Sequence, residues 1–162
     1  MKKISVLMVC MGNICRSPMA EGIFRREVAK AGLQDAVVID SAGTHSYHIG
    51  KPPDPRAQNA ISRRGVDISD LRGRQVAAED FDRFDYILAM DEANLGILRH
   101  NAPPHAREKV RLLLSYSSRF PGQEVPDPYY GGAGGFEENL DMIEDAVQGL
   151  MGDIQAALPG KG

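Results

Sequence analysis

A chain of 162 residues, 43% hydrophobic and 25% charged, is long enough to bury one sizeable core and has an ordinary globular composition. Residues 1–162 are read as one domain. The formal charge of −3 gives no general attraction to nucleic acid, though it leaves room for a local basic site. No apolar stretch approaches the roughly 20 residues of a membrane span. The two cysteines, Cys10 and Cys15, share one early loop and cannot staple a secreted scaffold, so a reducing, cytoplasmic home is expected.

Met1-Lys2-Lys3 followed by an apolar run has the outline of a signal peptide. The run is short, however, and ends in Gly12, Asn13 and Arg16 without a small-residue cleavage pattern. Ile4 to Val9 instead reads as a strand buried on both faces. Ser17 is placed to cap a following helix with Pro18 at its first position. Ala20, Ile23, Phe24, Val28 and Ala31 share one face of that helix, and Gly32 ends it. Ala36 to Ile39 is a short β-branched run. Asp54-Pro55 opens a second helix that Gly65 closes. Phe84 to Met90 reads as a third strand, with Asp91 capping the next helix, and Val110 to Leu114 as a fourth. Phe136, Leu140, Ile143, Val147, Leu150, Ile154 and Leu158 keep helical spacing to the end. This alternation predicts an α/β fold, a parallel sheet with helices on both faces. Ligands of such sheets bind outside the carboxyl ends of the strands, where the first loop lies.

That loop, "VCMGNICRSP" from Val9 to Pro18, is the densest chemical signal in the chain. Four residues separate its cysteines, so it is not a Cys-x-x-Cys redox pair. His45, His48, His100 and His105 form no second ligand pair for a structural zinc. The Walker and dinucleotide-binding glycine patterns are both absent. A strand-to-helix turn with two semi-buried thiols is the plainest alternative. Cys10 and Arg16 favour more than that. Five residues between them wrap one loop whose N–H groups can face inward at a helix start, a concavity suited to a tetrahedral dianion. Arg16 can grip two phosphoryl oxygens at once. The same field favours the thiolate of Cys10, and Ser17 can donate a hydrogen bond to it.

Cys-x-Gly-Asn-x-Cys-Arg-Ser-Pro resembles the active-site loop of the low-molecular-weight protein tyrosine phosphatases. "DSAGT" at Asp40–Thr44, "PPDPRA" at Pro52–Ala57, "RQV" at Arg74–Val76, "DFDRFDYILAMDEANL" at Asp80–Leu95 and "GFE" at Gly135–Glu137 match in order, nearly the whole chain. The resemblance implies a four-stranded parallel sheet of flavodoxin-like, doubly wound type, and a phosphatase acting on phosphotyrosine proteins and other aryl phosphates. It implies Cys10 as nucleophile, Arg16 as phosphate clamp and Asp127, in "VPDPYYG", as general acid. Met11, Gly12, Asn13, Ile14, Cys15, Arg16 and Ser17 would form the phosphate loop. Met11, Tyr47 and Tyr129 would wall the cleft, and Ser41 would support Asn13. Cys15 would guard Cys10 against oxidation. The histidine that usually completes the Asn13 network is replaced here by Leu71, which removes one expected support. Tyr129 and Tyr130 match a tyrosine pair that kinases phosphorylate in some members, although a packing role needs no such regulation. His45 and His48 are read as loop histidines without catalytic duty. No metal or organic cofactor, nucleic acid or membrane is expected. Inorganic phosphate and related oxyanions should act as product-like inhibitors, and the chain as a monomer or weak dimer. A thiol-dependent arsenate reductase shares the loop type but needs later cysteines, and none follows Cys15. A non-catalytic phosphotyrosine-binding module would lack the nucleophile or the acid, and both are present.

Overall fold

In a computed structural model, which describes residues 3–129 and 134–158, β1 (Ile4–Cys10), α1 (Arg16–Lys30), β2 (Val37–Gly43), α2 (Pro55–Ser62), α3 (Asp80–Arg83), β3 (Tyr86–Ala89), α4 (Glu92–Asn101), β4 (Val110–Leu112) and α5 (Gly134–Ala157) follow in chain order. Two 3-10 turns, Pro104–Lys109 and Leu113–Tyr116, flank β4. The sheet order is β2-β1-β3-β4 and every pairing is parallel. This is the α/β arrangement that the alternating pattern predicts, and Tyr130 lies outside the described residues.

The unbroken apolar run of β1 has a direct cause. Val6, Met8 and Cys10 face a layer made by α1, α2 and α5. Leu7 and Val9 face the opposite layer, where Phe81, Phe84, Leu95, Leu98 and Val110 pack. A central parallel strand covered on both sides has no polar face to alternate with.

Element ends differ from the sequence-based expectation wherever a neighbouring strand sets them. β2 continues past Ile39 to Gly43 because β1 stays paired with it down to Cys10–Gly43. The fourth strand stops at Leu112, opposite the last residue of β3, Ala89. Leu113 and Leu114 then turn into the core beside α5. Phe84 ends the short α3 instead of opening β3. Ser17 is not a cap: α1 starts one residue earlier, at Arg16, and has no side-chain cap at all. Pro18 is the third residue of α1, where its missing N–H costs no helical bond. Asp54 and Asp91 do cap α2 and α4, accepting from Arg56 N and Asn94 N. Positive φ at Gly32 and Gly65 fits their places just beyond helices, where only a left-handed residue closes the turn.

The strand order places a switch point between β1 and β3, whose outgoing connections run to opposite sides. Parallel sheets open a crevice there.

Candidate active site

Residues 10–16 turn from the end of β1 into α1 around that crevice. Cys10 is only 2% exposed, and its Sγ lies 3.1 Å from Ser17 Oγ. Asn13 sits at φ 59°, a left-handed conformation that asparagine tolerates better than most residues. Its amide fixes the turn in three directions. Nδ2 donates to Ser17 Oγ at 2.8 Å and to Ser41 Oγ at 3.0 Å, while Oδ1 accepts from Arg74 N at 3.0 Å. Since Asn13 occupies an acceptor site of Ser17, the hydroxyl proton of Ser17 is left for the Cys10 sulfur at 3.1 Å or the Ala42 carbonyl at 3.5 Å.

Ser41 Oγ in turn donates a hydrogen bond to Glu21 Oε1 at 2.6 Å. Glu21 is buried on α1, and its Oε2 is paired with Arg25. Burial pushes the Glu21 carboxyl up, against the opposing hydrogen bond from Ser41 and charge of Arg25. Leu71, at the expected histidine position, is half-buried and packs against the apolar core. The polar chain from Asn13 therefore ends on a carboxylate of α1. Arg74, which holds Asn13 from the other side, is itself clamped by Asp40 at 3.1 Å and Asp80 at 2.9 Å.

Arg16 is 2% exposed. Its Nη1 donates to Asp91 Oδ2 at 2.6 Å and to the Val125 carbonyl at 3.0 Å. Nη2 lies 3.5 Å from Asp127 Oδ2, and Nε has no partner among the described residues. Burial alone would pull this guanidinium down; Cys10, Asp91 and Asp127 outweigh it and hold the charge on. An orphaned buried N–H on a fixed cation is a donor waiting for an anion. Asp91 thus has two tasks, one oxygen capping α4 and the other orienting Arg16. Sequence reading assigned it only the cap. The available signal was its position just past β3, the strand beside β1.

Asp127 is half-buried, and its Oδ1 accepts from Tyr129 N at 3.0 Å, an Asx turn that pre-shapes the loop. The cleft offers about 430 Å³, its open mouth included, and Cys10, Cys15, Arg16 and Asp127 all line it. Met11, Gly12 and Ile14 contribute to its lining from the loop. Tyr47, 67% exposed, stacks on His45 at 5.1 Å. His48, which sequence reading left without a duty, lines the cleft as well. Its ring lies 6.4 Å from Tyr47 and 6.2 Å from Tyr129. It is seated so closely on the loop that a Cβ at Gly12 would lie 2.8 Å from its Cδ2. Three rings therefore surround the mouth, where sequence reading named two.

Cys15 meets a different field. Burial first, then Asp54, Cys10 and Asp127, push its thiol well above the ordinary cysteine range. It stays protonated at neutral pH.

A sulfur and a buried guanidinium, held together at the switch point of a parallel sheet, define a protein shaped to bring an oxyanion against a thiol. The profile of the low molecular weight phosphotyrosine protein phosphatase family matches residues 5–159. The low molecular weight protein-tyrosine-phosphatase YfkJ of Bacillus subtilis is 45% identical over 152 residues, 94% of this chain and 96% of its own. Its crystal structure superposes with a TM-score of 0.89. The low molecular weight phosphotyrosine protein phosphatase of Schizosaccharomyces pombe is 44% identical over 154 residues, 94% of this chain and 98% of its own. A protein tyrosine phosphatase of Entamoeba histolytica, crystallised with Hepes in its active site, reaches a TM-score of 0.92 at 37% identity, covering 96% of this chain and 99% of that one. This chain belongs to the low-molecular-weight phosphotyrosine protein phosphatase family, and its enzyme class is cysteine-dependent protein-tyrosine phosphatase.

Proposed function

We propose that the chain hydrolyses phosphotyrosine in proteins, and other aryl phosphates, through a phosphocysteine formed on Cys10, with Asp127 as acid and then base. The observation that carries this reading is the convergence of Cys10, Arg16 and Asp127 on one cleft, with Asp127 3.5 Å from the arginine. In the first step the Cys10 thiolate attacks phosphorus in line. The bond from phosphorus to the aryl oxygen breaks, and Asp127 gives its proton to that oxygen. Arg16 and the loop N–H groups take the equatorial oxygens, where charge sits in the transition state. In the second step water attacks phosphorus and loses its proton to Asp127. The phosphorus–sulfur bond breaks, and the departing thiolate receives the hydrogen bond of Ser17. Phosphate leaves, so phosphate and similar oxyanions should inhibit as product analogues.

Tyr47, Tyr129 and Met11 are read as walls that hold an aryl ring above the buried sulfur, a depth that shorter phosphoserine does not span. Both cysteines are free and buried, which suits a reducing cytoplasm. Among the described residues no helix is long and apolar enough to cross a membrane. The decisive experiment compares wild type with Cys10→Ser on p-nitrophenyl phosphate and on matched phosphotyrosine and phosphoserine peptides. Wild type should turn over the first two and spare the third. Cys10→Ser should show no turnover while still binding phosphate, and turnover by that variant contradicts the nucleophile assignment.

A further inference from the structure

The acid loop raises a problem of attachment. Pro126 and Pro128 flank Asp127 and carry no N–H. The nearest backbone donors lie outside the pair: Val125 N reaches the Met90 carbonyl at 2.8 Å, and Tyr129 N closes on Asp127 itself at 3.0 Å. The loop's carbonyls are held by side chains from three different helices. Val125 O accepts from Arg16 Nη1 of α1 at 3.0 Å. Tyr129 O accepts at 3.1 Å from Arg56 Nη2 of α2, whose guanidinium is held by Asp54 and lies 5.4 Å from the Tyr129 ring. Pro126 O, immediately before Asp127, accepts at 3.0 Å from Asn139 Nδ2 of α5.

Asn139 is the unusual member. It is 1% exposed, on a helix whose neighbouring Phe136, Leu140 and Ile143 are all in the apolar core. A lone amide there is costly unless it makes hydrogen bonds. Its Oδ1 has no donor among the described residues, so the bond to Pro126 is the return that the structure shows for its burial. A carbonyl acceptor requires the NH2 end of the amide, which fixes the side chain's orientation.

We infer that Asn139 is a positioning residue for the acid: by holding the Pro126 carbonyl it sets the height of Asp127 over the cleft. Its effect passes through the loop backbone, and it touches no reacting atom. The inference rests on Asp127 being the general acid. Loss of the strap should therefore matter in proportion to how much a leaving group needs that proton.

The test measures kcat/KM over aryl phosphates whose leaving phenols range from strongly to weakly acidic, for wild type, Asn139→Leu, Asn139→Asp, Asp127→Ala and the double variant Asp127→Ala/Asn139→Leu. Asn139→Leu keeps the number of side-chain heavy atoms and their branching, Asn139→Asp the shape, and both lose the amide donor. Each should lose roughly tenfold on phenyl phosphate, a share of the factor of about a hundred or more that a general acid supplies. Each should stay within about twofold of wild type on the best leaving group. The double variant should be no slower than Asp127→Ala alone. Unchanged rates, or an equal loss across the panel in the Asn139 variants beside a leaving-group-dependent loss in Asp127→Ala, would overturn the inference and leave the acid assignment standing. An equal loss in Asp127→Ala would instead remove the acid assignment itself. If Asn139→Leu does not fold, Asn139→Asp decides the matter by the same criterion.

Discussion

Cys10 and Cys15 show how much one residue's surroundings decide. Both are buried thiols in one loop. Cys10 ends a strand beside the Ser17 hydroxyl and in the field of Arg16. Cys15 sits where burial and three acidic or sulfur neighbours suppress its charge. Its thiolate, the reactive form, is scarce at neutral pH, so it attacks slowly. As a guard it would act only after peroxide has converted the Cys10 thiol to a sulfenic acid. The Cys15 sulfur then attacks that sulfur, water leaves and a disulfide forms, to be reduced by added thiol. Wild type treated briefly with peroxide and then with dithiothreitol should regain most of its activity, and Cys15→Ala little. Since the attacking form is the thiolate, protection should improve as pH rises. Equal recovery in the two proteins would remove the guard role.

At the scale of elements, the loop from Cys10 to Arg16 depends on β2 as much as on its own residues. Cys10 pairs with Gly43, and Thr44 N and His45 N donate to the carbonyls of Cys10 and Met11. A Cβ at Gly43 would lie 2.7 Å from the Met11 carbonyl and 3.2 Å from Asn13 N. These are backbone atoms that no rotamer change can move. Gly43→Ala should therefore displace the loop, costing about 1–3 kcal/mol of stability by overpacking and about a hundredfold in kcat/KM by misplacing the sulfur. Urea unfolding and steady-state kinetics read the two effects, and an active, equally stable variant would show that the loop tolerates the shift. The helices were the most legible elements, since periodicity and the caps Asp54 and Asp91 mark them. The four-residue α3 was too short to show a period, and the ends of β2 and β4 depend on partners elsewhere in the chain.

At the scale of the whole molecule, the contacts of Arg16 join distant segments: α1, Asp91 at the head of α4, the Val125 carbonyl and Asp127. An oxyanion seated on Arg16 should stabilise the fold that assembles those segments. At 100 times its Kd, phosphate should add about 2.7 kcal/mol, a rise of roughly 5–10 °C in Tm for a domain of this size. Arg16→Lys, which loses the planar fork, should forfeit most of that rise; an undiminished shift would place the anion elsewhere. The loop motif, the Cys10 and Arg16 pair proposed as nucleophile and clamp, Asp127 between two prolines and the βα alternation are all readable from the chain, because each is local: adjacent residues and short periods carry them. The strand order, the second task of Asp91, the entry of His48 into the cleft, the carboxylate ending of the Asn13 network where Leu71 replaces a histidine, and the grip of Asn139 on Pro126 were decided only in three dimensions. Each joins positions far apart in sequence, and no local pattern records which of them the packing of the sheet will bring within hydrogen-bonding distance.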